Sequence, residues 1–443
     1  MKTEFKSLLR ISNFPLWTVL FAITILLIYF IIAENNRVRS EDQPVKIYFA
    51  SDISFAHQRV IDSFNKKYSG KIEVVPIDLS FKKFSTNERK ELLARTLRSS
   101  SDRIDVFAVD QIWVPRFAKW SEPLDKYFTK AETDKILNYA LASCYYENKL
   151  VAIPINIDIG MMYYRKDLMQ KIPGYDTLKS KLQNSITWEE FLKISRKFKE
   201  SKNPFYIFTA DDYEGLVCCF VELLLSQNRN YFKEYGFNLN TPEAKKALNL
   251  LVSFVNVYHI SPKAVTDFNE NSSYKYFIEN DGVFLRGWPS YEKDYKNLFK
   301  GTSKDQLLEK AALPHFRGYP PTAIFGGWNL MVSKYSNKKK QVLVFIKYFL
   351  SEEAQEIFYT VGAYLPILTK FYDDSVYTKK YPDLLFKKEL LKTGVHRPFL
   401  EDYTRISDII SYYAKKAIKK EISVESALKE ATSMINSNKI LIK

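Results

Sequence analysis

Hydrophobic positions along this chain alternate between short apolar runs and longer stretches of helical spacing. Residues 45–50 read as a strand, after which Val60, Ile61, Phe64 and Tyr68 recur at helical spacing until Gly70 closes the helix. Residues 71–77 alternate as a second strand, 86–97 are helical, and 104–109 form a buried strand that ends at Asp110. Strands alternating with helices predict βα units and an α/β fold. In open α/β sheets, ligands collect outside the carboxyl ends of the strands. Ser51-Asp52, the segment from Asp110 to Trp113 and that from Pro154 to Asp158 all follow strands. Three loops converging on one edge predict a cleft.

The stretch 150–168 organises the rest. Residues 150–153 read as a buried strand, and Pro154, which lacks a ladder donor, is expected to bend or end it. Asn156 and Asp158 follow at period two, on one side of an extended segment. After Gly160 a second extended run, 161–164, begins. This is how a chain passes between two α/β lobes; a single bent strand in one large sheet fits the pattern as well. Further on, Thr187-Trp-Glu-Glu190 is a capping box, 206–209 a short strand, 212–225 an apolar helix, and Thr241-Pro242 a helix start. Residues 283–285 form a strand running into Arg286-Gly287-Trp288-Pro289. Residues 325–333, broken by Gly326 and Gly327, read as a return crossing. Residues 339–350 are helical, Ser351 caps another helix, and the chain from Tyr381 onward is helical.

Composition changes this picture at the N-terminus. Residues 14–33 are an uncharged run of about 20 residues, long enough to span a bilayer as a helix, preceded by Lys2, Lys6 and Arg10. One small residue, Ala33, and no following Cys make an uncleaved anchor the better reading than a cleaved signal or lipoprotein processing. The flanking charge puts the N-terminus in the cytoplasm, with Arg37 and Arg39 opposing it, and 34–44 read as a tether. The formal charge of +15 is spread over single lysines and short runs, so it reads as a solvated surface without a nucleic-acid partner. Cys144, Cys218 and Cys219 give neither a disulfide framework nor a metal spacing, and read as buried thiols. His57, His259, His315 and His396 form no metal pair. No P-loop or GxGxxG is present, so no cofactor is expected.

Pro154, Ile157-Asp158, Gly160 and Tyr163-Tyr164-Arg165-Lys166-Asp167-Leu168 resemble the first inter-lobe crossover of the extracellular solute-binding proteins of sugar ABC importers, and most resemble the trehalose/maltose-binding proteins. Asn87-Glu-Arg89, Asp105-Val-Phe-Ala-Val-Asp110 with Trp113, Tyr213-Glu-Gly-Leu-Val-Cys218, Trp288-Pro289, Gly326-Gly-Trp328 and Arg397-Pro398 match in the same order. The resemblance covers roughly residues 45 to 435 and implies a two-lobed periplasmic-binding-protein-like fold of type II, here carrying an N-terminal anchor helix. The expected partition is 1–33 anchor, 34–44 tether, 45–156 with 327–360 lobe 1, and 157–326 with 361–443 lobe 2. It also implies a monomeric, extracytoplasmic receptor that closes on a di- or oligosaccharide and delivers it to ABC permease subunits and their ATPase.

A sugar presents hydroxyls around its rim and apolar C–H faces, so its site calls for carboxylates, amides, Arg and flat aromatics. Asp110 and Asp158 are the carboxylates best placed by sequence; a helix N-cap is the alternative for Asp110. Trp113, Trp288 and Trp328 lie after strands or at a glycine break where rings can face a cleft, whereas Trp120 and Trp188 read as packing. The resemblance adds Arg89 and Arg397 as hydroxyl contacts, and Asp52 less closely. Asn156, beside Asp158, and Gly327, whose bare backbone allows close approach to a ligand, complete the candidate set. Asn156, Gly287 and the pair Glu401-Asp402 depart from the family pattern and leave the particular sugar open. Two other functions compete: a glycoside hydrolase using Asp110 and Asp158 as acid and nucleophile, and a membrane-tethered sugar sensor for a signalling partner.

Overall fold

The computed structural model describes residues 20–31, 43–80, 86–100, 103–437 and 441. Two sheets dominate them. The first has six strands: Val45–Ser51 lies parallel between Ile72–Asp78 and Val106–Asp110, and Ala323–Val332 runs antiparallel to Val106–Asp110. Ile153–Ile159 pairs antiparallel with the other side of Ala323–Val332, and the short Gly394–Val395 adds in parallel. The second sheet orders Leu308–Ala311, Met161–Arg165, Phe284–Gly287 and Tyr206–Ile207.

Each sheet has its own apolar core. Ile47, Phe49, Phe107, Met331, Phe345 and Phe349 belong to one core; Met162, Tyr164, Phe191, Phe254, Phe284 and Leu224 belong to the other. Two strands pass between them. Ile153 and Ile155 pack in the first core, while Ile157 and Ile159 pack in the second. Ala323–Val332 changes cores likewise, with Ile324 and Phe325 in the second and Leu330 and Met331 in the first. The register shift between Trp328 and Asn329 accompanies this switch: Ile153 stands opposite Leu330 and Ile157 opposite Gly327, an odd spacing that puts the two isoleucines on opposite faces of the sheet. The division is not strictly sequential: Ile136, Leu137 and Ala140 pack with the second core, and Tyr403 with the first.

Local chemistry explains where elements start. Thr187 and Glu190 form the capping box ahead of Trp188–Ser195, and Thr241 caps Pro242–Asn256, with Pro242 in the first turn. Ser351 caps Glu352–Gly362 by accepting from the Ala354 amide. Cys144, Cys218 and Cys219 are free and buried, and Trp120 and Trp188 are buried packing residues.

Three expectations require correction. Pro154 does not end a strand: Ile153–Ile159 runs through it. The register jumps from Trp328↔Asn156 to Asn329↔Pro154, so Ile155 is the extra residue of a bulge. Beside a bulge, on a strand whose one ladder partner among the described strands is Ala323–Val332, a missing N–H costs little. The residues before it, Lys149–Leu150, pair instead with Tyr145–Tyr146 in a hairpin turned by Glu147 and Asn148, both at positive φ. Second, Gly326 and Gly327 lie inside a continuous strand and do not break it. Third, the helical C-terminal region is interrupted between Asp383–Leu391 and Tyr403–Ile418 by the segment 392–402, which carries Arg397.

Of the apolar N-terminal run, only residues 20–31 are described; they form a helix whose side chains are exposed, Phe21 and Tyr29 among them. The rest of the run, and with it most of the expected anchor, lies outside the described residues. Among the described residues no helix is long and apolar enough to cross a membrane.

Candidate functional site

The strand register assembles the site. Trp328 stands opposite Asp110 on one neighbouring strand and Asn156 on the other, and Gly326 stands opposite Asp158. Asn156, Asp158, Gly326 and Trp328 therefore share one face at the place where the two strands change cores. Asn156 Nδ2 donates to Asp158 Oδ2 at 3.1 Å. Asp158 is 9% exposed, and its Oδ1 is buried without a hydrogen-bond partner among the described residues. Burial, with the nearby Asp110 charge adding to it, raises the Asp158 carboxyl to about 7, against the opposing bond from Asn156.

Arginines bring in the remaining candidates. The Arg89 guanidinium lies over the Trp328 ring, 4.8 Å from its centroid. Burial lowers Arg89 to about 10, while Asp52, Asp110 and Asp78 pull it back up. Asp52 thus lies close enough to Arg89 to act on its charge. Arg397 is buried, donates to Glu214 and approaches Asp110 Oδ1 to 3.7 Å. Asp110 also accepts from the Ile112 amide, so it caps the turn Gln111–Trp113. Burial still pushes its carboxyl above the usual range.

The aromatic candidates separate. Trp288 and Trp328 remain partly exposed, whereas Trp113 is 5% exposed and meets Trp328 edge-on at 6.2 Å. Trp113 supports the Trp328 ring from the first core. Trp288 lies between Gly326 and Arg286: a Cβ at Gly326 would sit 3.0 Å from its Cζ3, and Arg286 Cζ is 4.2 Å from its centroid. Arg286 is held by Glu222 at 2.7 Å in a buried ion pair. Gly327 has φ +132°, and a Cβ there would meet the Asn156 carbonyl at 2.6 Å. The room freed by these glycines is filled by the Trp288 ring and by the neighbouring strand.

Sequence reading missed Glu214, which accepts from Arg397, from Ser407 and, at 2.8 Å, from Tyr403. An acid in the first turn of an apolar helix reads as a complement to the helix dipole, so nothing local marked it. Gln111 was missed for a similar reason; its Nε2 donates 2.6 Å to the Phe325 carbonyl, tying the first core to the second. A small cavity of about 20 Å³ beside Trp188, Cys219, Glu222 and Ser226 has room for little more than one water.

Two α/β lobes joined by strands that cross between their cores define the two-lobed solute-binding fold. Residues 50–356 match the family model described as bacterial extracellular solute-binding protein, and the chain belongs to that family. It is 25% identical over 380 residues to a "Probable ABC transporter-binding protein" of Deinococcus radiodurans, covering 83% of this chain and 86% of the relative. Among solved structures it is similar to "Maltose bound T. maritima MalE3", at 25% identity and a TM-score of 0.77, covering 89% of this chain and all of that one. A cyclic alpha-maltosyl-1,6-maltose binding protein from Arthrobacter globiformis shares the fold at 19% identity and a TM-score of 0.70, over 89% of this chain and 98% of that one.

Proposed function

We propose that this protein is an extracytoplasmic sugar receptor that hands a di- or oligosaccharide to an ABC permease and its ATPase. The observation that carries the reading is the single strand face on which Asn156, Asp158 and Trp328 lie together, with Asp110 opposite and Arg89 stacked behind the ring. Carboxylates, an amide and arginines suit hydroxyls, and a partly exposed indole suits a pyranose face. The proposed lobes are 45–156 with 327–360 and 157–326 with 361–443, supported by the change of core at Asn156 and near Trp328. The uncharged run 14–33 of the sequence is proposed as an N-terminal membrane anchor.

Membership in a family of binding proteins weighs against the hydrolase alternative. So does the local chemistry, because Asp110 is already occupied by the Ile112 amide and faces Arg397. The test is a thermal-shift panel of mono- and oligosaccharides followed by calorimetry. A cognate sugar at about 100 times its Kd should add roughly 2.7 kcal/mol of stability, and it should be recovered unchanged after prolonged incubation. Stabilisation by no carbohydrate would reject the reading. Steady release of a smaller sugar, lost in D110N or D158N, would replace it with hydrolysis.

A further inference from the structure

The cleft carries more carboxylates than free cations, in a chain whose overall charge is +15. Glu270 repels Asp110, and Asp110 in turn repels Asp158 and Glu214. Three of the cations nearby are engaged. Arg397 is bonded to Glu214, and Arg89 is drawn on by Asp52, Asp78 and Asp110 together. Lys387, the ammonium whose field reaches Asp158, sits 2.7 Å from Asp383 and 3.6 Å from Glu292.

Within this field the unpartnered buried atoms include one carboxylate oxygen, beside guanidinium nitrogens such as Arg397 Nε. Asp158 Oδ2 accepts from Asn156, while Oδ1 is buried with no hydrogen-bond partner among the described residues. A buried anionic oxygen is costly unless a donor reaches it, and a charged donor compensates it better than a neutral one. A sugar hydroxyl would satisfy the hydrogen bond whether or not the carboxyl, raised to about 7, is ionised. A protonated amine satisfies it and also pairs with the ionised form.

Resting on the sugar-receptor reading, we propose that the cleft prefers a saccharide bearing a protonated amino group. Asp158 is the residue that receives the ammonium, and Asp110 and Glu270 supply the surrounding field. No covalent step is involved: selectivity is a difference of affinities between the amino sugar and its hydroxyl parent.

The test uses the purified full chain and malto-oligosaccharides in which single hydroxyls are replaced by amino groups, each compared with its unsubstituted parent by calorimetry at neutral pH. At least one amino derivative should bind about tenfold or more tightly than its parent, a difference one charged contact readily supplies. D158N should bring that ratio close to one, and E270Q should lower it in part; the second variant carries the test if the first does not fold. Parents binding as well as or better than every amino derivative would overturn the proposal and leave the sugar receptor standing. Binding of no saccharide, neutral or amino, would reject both. An amino preference that survives both D158N and E270Q would show that the ammonium sits elsewhere and would also overturn the assignment.

Discussion

Gly326 and Gly327 are neighbours of the same type, yet their side-chain space is closed by different things. A methyl group at Gly326 would press on the Trp288 ring at 3.0 Å and on Asp158 Cβ at 3.3 Å. G326A should therefore displace the ring and weaken sugar binding, with a modest overpacking cost of about 1–3 kcal/mol. G327A meets backbone at 2.6 Å and a positive φ, so it should destabilise the fold by more than G326A in urea unfolding. Equal losses in the two variants would contradict this geometry. W328A should lower affinity for related sugars by a similar factor, on the order of 2 kcal/mol as for an aromatic anchor. Because the ring is partly exposed, its melting temperature should fall less than the roughly 3–5 kcal/mol cost of truncating a fully buried Trp implies. Asp158 gives a pH signature. Its folded value, about 7, lies above the unfolded value near 3.9. The contribution is fully present below pH ~4 and is lost as pH rises through about 7. The ligand-free melting temperature of D158N relative to wild type should accordingly climb between about pH 4 and 7. A difference that stays constant with pH would mean the carboxyl is not buried uncompensated.

Two strands and one helix carry the site at the level of elements. The ladder between Ile153–Ile159 and Ala323–Val332 fixes which residues oppose each other, and the bulge at Ile155 sets the register that brings Asn156 opposite Trp328. The helix Glu214–Leu225 contributes twice. Glu214 at its start holds Arg397, and Glu222, two turns on, holds Arg286 beneath Trp288. Breaking a buried pair leaves an uncompensated charge, so E222Q should cost about 3–5 kcal/mol of stability. The paired replacement E222L/R286M should recover much of that loss in chemical denaturation. Sugar affinity in the double variant should stay reduced, because Trp288 loses the guanidinium behind its ring. Full recovery of affinity would mean that Trp288 does not depend on Arg286.

For the whole molecule, the two cores are held close together. Gln111 reaches the Phe325 carbonyl, and Arg397 approaches Asp110 at 3.7 Å. A ligand buried between the lobes must enter through an opened form, and it stabilises whichever form contacts it from both sides. Small-angle scattering should therefore show a more compact particle at saturating sugar than without it. No change in dimensions on binding would reject closure as the signal a permease reads.

The sequence alone determined the α/β class, most helix starts, the packing roles of Trp120 and Trp188, and the free state of the three cysteines. These depend on spacing and on residues within a few positions of one another. The resemblance drew the family and the candidate residues from ordered motifs that no single rhythm contains. Only the tertiary structure decided the rest. That Pro154 lies inside a strand depends on a partner about 175 residues away and on a bulge in the pairing between them. That Trp113 backs Trp328, and that the glycines make room for Trp288, follows from packing across elements. Glu214 became part of the site because Arg397 and Tyr403, far along the chain, fold against it. The charge balance of the cleft was equally hidden, since buried carboxylates repel one another only after folding has brought them into one low-dielectric space.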